Sequence, residues 1–131
     1  MKREIEYWDK PGKDNTVPTI DAAVKRAKDL GIRNFIVASC TGRTIEALRE
    51  KEKDLHIICV THQAGFREPG KNEMSDDTRQ ELDGAGVQIY TGTHFFGGPG
   101  RAVRMKFGGL EADELCANTL RMLGQGVKVC V

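Results

Sequence analysis

FIVASCTGRTIEALREKEKDLHIICVTH, residues 35–62, is the stretch that decides the fold. It opens with the short apolar run at residues 35–38 and contains a second one at residues 55–60. Neither run alternates with polar residues, which is typical of strands buried in a parallel sheet. Between them we expect a helix over residues 43–51. The stretch therefore predicts a β-α-β unit.

A further helix is predicted before the first strand. Apolar residues between Ile20 and Ile32 recur near the helical period and form one stripe. Asn15 or Thr16 can cap its start, and Gly31 stands where a left-handed residue commonly ends a helix. The chain is thus expected to enter the β-α-β unit through a helix.

Another helix and strand are predicted after the unit. Ser75 is a good N-cap, and the two acidic residues that follow it favour the positive end of a helix dipole. This helix ends near Gly84 or Gly86, and residues 87–90 form a third strand. Residues 92–109 are rich in glycine, and their structure is left open.

The C-terminal part is predicted to add one helix and one strand. Residues at spacings of three and four form a stripe that we expect to face the sheet. They are Ala112, Leu115, Cys116, Thr119, Leu120 and Leu123. Gly124 ends this helix, and VKVCV, residues 127–131, has the composition of a buried strand. Because a buried strand is an unusual ending, we expect the chain to lack its C-terminal portion.

Alternating strands and helices imply a doubly wound α/β fold, with three α/β/α layers around a mostly parallel sheet. The 131 residues fit a single domain, 1–131. The net charge of +1 and the lack of a long like-charged block argue against nucleic acid or an anionic membrane as a partner. Because there is no apolar leader or spanning segment, we expect a cytoplasmic protein. Self-association is left open.

The four cysteines are too widely spaced to form a C-x-x-C zinc or redox pair. Cys59, Cys116 and Cys130 are expected to be small core residues, because each lies in a predicted strand or on an apolar helix stripe. Only Cys40 lies in a turn that we expect to be exposed.

Folds of this class bind ligands at the carboxyl ends of their strands, and the first such end carries the turn SCTGRT. The turn consists of Ser39, Cys40, Thr41, Gly42, Arg43 and Thr44. Hydroxyls and unpaired backbone N–H groups meet there at the positive end of a helix, glycine permits close approach, and arginine can add a charge-assisted bond. We expect the turn to bind the phosphate of a small ligand. Ordinary capping of the helix by serine and threonine is the alternative.

The next two strand ends each place threonine next to histidine. The second strand is followed by Thr61, His62 and Gly65, and the third by Thr91, Thr93 and His94. We expect both groups to contact the ligand, with the histidines as donors or as general acid and base, unless they only cap their loops. No metal is expected, because no carboxylate or thiolate with ligand spacing accompanies the histidines.

The segment SCTGRTIEALREKEKDLHIICVTH resembles the part of the pyruvate kinase C-terminal domain in which a Thr/Ser-Gly-x-Ser/Thr turn grips the phosphate of an effector. Ser39, Thr41, Gly42 and Thr44 match that turn. YWDKPGKDNT, VTHQAGFREPGKNEM and LRMLGQGVKV resemble segments of a family of stand-alone archaeal and bacterial proteins with the same fold. Together these segments extend over nearly the whole chain.

The resemblance implies flavin mononucleotide (FMN) as the ligand. Its phosphate would lie at the turn 39–44, with the loops 61–65 and 91–94 near the flavin ring. Cys40 departs from the pattern, since serine or threonine is expected there. The family's chains also continue past the last predicted strand into another glycine-rich turn.

Four functions remain open. The first is a binding module for a phosphorylated small molecule, with FMN foremost. The second is a flavin-dependent oxidoreductase, in which the cofactor performs most of the chemistry. The third is a hydrolase or transferase that uses Cys40 as nucleophile with His62 or His94 as base. The fourth is a regulatory or oligomerisation domain whose loops bind nothing.

Overall fold

The computed structural model describes residues 4–131, which contain six α-helices and three β-strands. In chain order these are α1 (Thr16–Leu30), β1 (Asn34–Ala38), α2 (Arg43–Lys51), β2 (His56–Thr61), α3 (Asp76–Gly84), β3 (Gln88–Thr91), α4 (Pro99–Phe107), α5 (Ala112–Met122) and α6 (Gln125–Cys130). Single 3₁₀ turns occur at Lys13–Asn15 and Phe95–Gly97. Within these residues, no helix is both long enough and apolar enough to cross a lipid bilayer.

The three strands form one parallel sheet in the order β1-β2-β3. Phe35 is in register with Ile57, and Thr61 is in register with Thr91. Helices α2 and α3 are the crossovers between neighbouring strands. The predicted α/β fold with a parallel sheet is confirmed, and the arrangement is consistent with the three-layer α/β/α class.

The core lies between one face of the sheet and helices α1, α2 and α3. Ile45 and Leu48 of α2 meet Ile57 and Cys59 of β2 and Leu82 of α3 in one buried cluster. Crossovers between successive neighbouring strands have the same hand, so α2 and α3 lie on the same side of the sheet. Burial on this side holds the strand ends in place.

The other face of the sheet is more open than the apolar runs suggest. Ile36 in β1 is 75% exposed and Tyr90 in β3 is 61% exposed. Sequence alone indicated strands buried on both faces, and for β1 this expectation is wrong. The reason is that helices α1 to α3 all supply the core on the opposite face.

Two predicted helix ends are confirmed. Gly31 follows α1 in the left-handed conformation with φ 67°, and the backbone N–H of Ile32 donates to the carbonyl of Ala27 at 2.9 Å. Ser75 caps α3, because its hydroxyl accepts the backbone N–H of Thr78 at 3.2 Å. These caps fix where the chain turns into β1 and into α3.

The predicted C-terminal strand is wrong, because residues 125–130 form helix α6. The backbone N–H of Lys128 donates to the carbonyl of Gly124 at 3.4 Å, and that of Val131 donates to Val127 at 3.3 Å. A strand needs a neighbouring strand for its backbone groups, whereas this segment bonds within itself and packs on α5. The strand preference of valine is a weak bias that such packing overrides.

The predicted apolar stripe of α5 does not face the sheet. Leu115, Cys116 and Leu123 are exposed, and the residue that α5 buries is Ala117. The main contacts of α5 are with α4, α6 and the 3₁₀ turn at residues 95–97. The helical spacing was therefore correct, but it did not identify the neighbouring element.

The predicted burial of the cysteines holds for one of three. Cys59 is fully buried, as expected, whereas Cys116 and Cys130 are exposed. The two errors share one cause, because both rested on packing of the C-terminal segments against the sheet. Cys40 in the turn is half-buried.

Candidate functional site

The carboxyl ends of the three strands lie side by side. Ala38 is in register with Val60, and Thr61 is in register with Thr91. The backbone N–H of Ser39 continues the ladder by donating to the carbonyl of Val60 at 3.0 Å. The register therefore brings together the three loops that the sequence assigned to a ligand site.

The turn after β1 starts α2 without a side-chain cap. Gly42 is the residue before the helix, in the left-handed conformation with φ 86°, and its carbonyl accepts the N–H groups of Ile45 and Glu46 at 2.8 and 3.1 Å. Among the described residues, no side chain accepts a hydrogen bond from the start of α2. Capping by serine or threonine, the alternative explanation for this motif, is thus not what the structure shows.

Polar groups surround this helix start. Ser39 and Gly42 are buried, whereas Thr41 and Arg43 are exposed. The Nε of Arg43 donates to the Oγ1 of Thr41 at 3.3 Å, so a guanidinium and a hydroxyl lie together on the open side. Thr44, in the first turn of α2, is half-buried. A free helix start with a neighbouring arginine can accept an anion.

Helix α3 packs closely against this turn. A Cβ atom on Gly42 would lie 2.8 Å from Cγ2 of Thr78 and 3.4 Å from Cδ1 of Leu82. Contacts below 3.0 Å require something to move. Gly42 is thus demanded both by its positive φ and by the space that α3 leaves.

A threonine pair joins the ends of β2 and β3. The hydroxyls of Thr61 and Thr91 lie 2.8 Å apart, and Nη2 of Arg79 in α3 donates to the Oγ1 of Thr91 at 2.5 Å. Within the described part of the chain, the Nε of Arg79 is buried without a hydrogen-bond partner. The sequence reading missed Arg79, since nothing in the motif of α3 shows that it reaches the strand ends.

The other predicted loop residues have different positions. Thr93 is exposed. Gly65 is half-buried with φ 82°, and its N–H donates to the carbonyl of Lys71 at 2.8 Å. Gly65 therefore shapes the loop between β2 and α3.

Cys40, His62 and Glu73 form a cluster beside the turn. Their potential ligand atoms all lie within 4.8 Å of one another. The Nδ1 of His62 hydrogen-bonds Oε2 of Glu73, and the Nε of Arg67 donates to Oε1 of Glu73 at 2.7 Å. Glu73 was not predicted, because it lies in a long loop whose path cannot be inferred from local sequence.

The environment of Cys40 favours the thiol over the thiolate. Burial raises the pKa of Cys40, and the nearby Glu73 carboxylate raises it further. The backbone N–H of His62 and the charge of Arg67 act in the opposite direction, but the net pKa is raised. An activated cysteine nucleophile requires the reverse shift.

His94 lies outside the Cys40 cluster. Its Nδ1 accepts the backbone N–H of Phe96 at 3.1 Å, and within residues 4–131 its buried Nε2 has no hydrogen-bond partner. Burial lowers the pKa of His94, and the positive charges of Lys128 and Arg121 lower it further. This histidine is therefore neutral near pH 7.

Lys128 in α6 is an unpredicted buried cation. Burial lowers its pKa, and Arg121 and Arg101 lower it further through their positive charge. With His94, these residues form a basic group that α4, α5, α6 and the loop after β3 supply. It escaped sequence analysis because residues 127–131 were expected to form a strand.

A cavity of about 320 Å³ lies at the opposite end of the sheet. It is lined by residues of α1 and of the starts of β1 and β2, including Val24, Gly31, Arg33 and Leu55. It contains none of the predicted site residues. The polar groups described above, all at the carboxyl ends of the strands, therefore define the candidate site.

The chain matches a known family model. The family model described as pyruvate kinase, alpha/beta domain, matches residues 18–131. The matched range begins within α1 and includes all three strands, the turn 39–44 and the loops after β2 and β3.

Proposed function

This chain belongs to the family of the pyruvate kinase alpha/beta domain, and from that premise we propose that its turn at residues 39–44 binds the phosphate of a small ligand. The observation that carries the proposal is the uncapped start of α2 at Gly42. Unpaired N–H groups and the partial positive charge of the helix point there, which suits a phosphate oxygen.

The side chains of the turn would supply the remaining contacts. The hydroxyl of Thr41 can donate to a phosphate oxygen, and Arg43, already 3.3 Å from that hydroxyl, can add a charge-assisted bond. Ser39 and Thr44 add hydroxyls on the less exposed side of the turn. The missing side chain of Gly42 makes room for α3, so the phosphate contacts expected from the backbone are the unpaired N–H groups at the start of α2.

FMN is the ligand that we propose first. A flavin needs a flat surface beside its phosphate site, and Phe66 and Phe96 lie in the loops after β2 and β3. The ring centroids of Phe66 and His62 lie 4.1 Å apart, and those of Phe96 and His94 lie 6.2 Å apart. Aromatic and imidazole faces of this kind suit contact with a ring system.

In this proposal the protein binds and orients the ligand. Bound flavin would supply any redox chemistry, and oxidoreductase activity follows only if that flavin is reducible in place. Thr61 and Thr91 are hydrogen-bonded to each other, and Arg79 donates to Thr91, so these polar side chains are fixed at the strand ends between the loops after β2 and β3. We propose a cytoplasmic location. From the charge balance described above, we also propose that the protein has no nucleic-acid or membrane partner.

A cysteine-dependent hydrolase or transferase is the second candidate. It is favoured by the proximity of Cys40, His62 and Glu73, which supplies a thiol, an imidazole and a carboxylate. The raised pKa of Cys40 counts against it, because the thiolate is the nucleophile. We therefore place it after phosphate binding.

The proposal is tested by equilibrium binding of FMN and riboflavin, measured from the quenching of flavin fluorescence. We expect FMN to bind more tightly than riboflavin, and Arg43→Ala and Thr41→Ala each to weaken FMN by about 10-fold, as for the loss of a charged hydrogen bond. Arg33→Ala is the matched control, since Arg33 is also exposed but lies just before β1, at the opposite end of the sheet. Equal binding of both flavins, or an equal loss in the control, would overturn the proposal for FMN.

A further inference from the structure

We propose that Cys40, His62 and Glu73 bind one divalent metal ion of the zinc class. The three residues come from separate parts of the chain: the turn after β1, the position that follows β2, and the loop before α3. Their ligand atoms lie within 4.8 Å of one another. The fold thus brings three different donor types to one point.

The distances are close to those of a formed site. Zinc binds sulfur at about 2.3 Å and nitrogen or oxygen at about 2.0 to 2.2 Å, so ligand atoms around one ion lie roughly 3.3 to 3.8 Å apart. Atoms as far apart as 4.8 Å must approach by about 1 Å, whereas the hydrogen-bonded Nδ1 of His62 and Oε2 of Glu73 must separate to admit the ion; side-chain rotation provides shifts of this size. No movement of the sheet is needed.

Neighbouring groups already orient two of the ligands. Arg67 donates to Oε1 of Glu73 at 2.7 Å, which leaves Oε2 on the side of His62. The ring of Phe66 packs against the imidazole of His62. Partners of this kind hold metal ligands in position and are a regular part of metal sites.

The Cys40, His62 and Glu73 cluster is exposed to solvent on the side of His62. The side chain of Glu73 is only 13% exposed, whereas that of His62 is 46% exposed. Three protein ligands with an open side is the arrangement in which a zinc ion keeps water or another small molecule as its fourth ligand. A cation placed there would lie next to the turn of the proposed phosphate site, because Cys40 belongs to both.

The donor set selects the class of ion. Calcium and magnesium require oxygen ligands, whereas sulfur and imidazole with one carboxylate suit zinc and its neighbours among the transition metals. The sequence argued against metal because the histidines lacked a thiolate or carboxylate partner. The structure supplies both partners to His62.

The test is a titration of the chelator-stripped 131-residue chain with Co²⁺, followed by absorption. We expect one Co²⁺ per chain, a thiolate-to-cobalt charge-transfer band, and displacement of Co²⁺ by Zn²⁺. Cys40→Ser should remove that band and weaken binding by more than about 10-fold. Cys116→Ser is the control, because Cys116 is an exposed cysteine outside the cluster.

The variants His62→Gln and Glu73→Gln test whether Co²⁺ is bound by all three residues or by the Cys40 thiol alone. Each should weaken Co²⁺ by more than about 10-fold while far-UV circular dichroism shows an unchanged fold. The proposal is overturned if the folded wild-type chain gives no thiolate band, or if the band survives Cys40→Ser. Unchanged affinity in both glutamine variants would also overturn it, and His62→Gln decides the matter if Cys40→Ser does not fold.

Discussion

The Cβ atom that Gly42 lacks would lie 2.8 Å from Cγ2 of Thr78, so helix α3 limits which residue can occupy the turn before α2. Thr78 is held by its own contacts, since its hydroxyl oxygen accepts a hydrogen bond from Ser75 at 2.8 Å and its backbone N–H donates to the same side chain. The shape of the candidate phosphate site therefore depends on how α3 packs.

Gly42→Ala is expected to lower the free energy of unfolding by about 1 to 3 kcal/mol, because alanine meets both an unfavourable positive φ and the methyl group of Thr78. Urea unfolding measures the loss. Gly70→Ala is the control, since Gly70 also has positive φ (74°) but open space around it. Adding Thr78→Ser should recover part of the loss. Equal losses at both glycines without any recovery would show that the contact is unimportant.

Thr91→Val is expected to destabilise the protein by about 1 to 3 kcal/mol, because it leaves the half-buried Arg79 and the buried Thr61 without their shared hydrogen-bond partner. Valine preserves the shape and the strand preference of threonine. Thr93→Val, on an exposed residue of the loop that follows Thr91, should change stability by less than about 0.5 kcal/mol. Similar effects of the two substitutions would contradict the assigned network.

His94 should make the protein less stable in mild acid. Its pKa is lowered in the folded chain, by burial and by Lys128, Arg121 and His62, so the unfolded chain takes up a proton first as the pH falls below about 6.5. Stability is then lost from about pH 7 downward until the folded pKa is reached. His94→Asn keeps an acceptor for the N–H of Phe96 and should lose less stability between about pH 7.5 and pH 5. The same loss in both proteins would refute this role.

The cysteines should react with iodoacetamide in a defined order. Cys116 and Cys130 are exposed and should be labelled first, Cys40 more slowly because its pKa is raised by burial, and Cys59 only on unfolding. Mass spectrometry of digested samples gives the rate at each site, and labelling in urea shows that all four can react. Fastest labelling at Cys40 would instead support the cysteine-nucleophile alternative.

The sequence predicted the elements that enclose the core. The apolar runs at residues 35–38 and 55–60 were correctly assigned to strands, although burial on both faces was wrong for the first, and Gly31 and the capping Ser75 were correctly placed at helix ends. It failed for residues 127–131, where β-branched composition favours a strand but packing against α5 produces a helix.

The candidate site was predictable only in part. Three loops at neighbouring strand ends follow from the parallel topology, so Ser39, Thr61 and Thr91 were identified. Arg79 and Glu73 were missed, since each reaches the site from a segment whose position is set by long-range packing. Lys128 was missed because its segment was assigned to the wrong element.

The most direct test of the central claim is a titration of ¹⁵N-labelled protein with FMN, riboflavin and inorganic phosphate, followed through the backbone amide resonances. We predict that amides of residues 41–44 shift with FMN and with phosphate, and that they shift much less with riboflavin, because the helix start binds the phosphate group. Unchanged turn amides, with shifts confined to the basic group around Lys128, would contradict the claim and place the anion elsewhere.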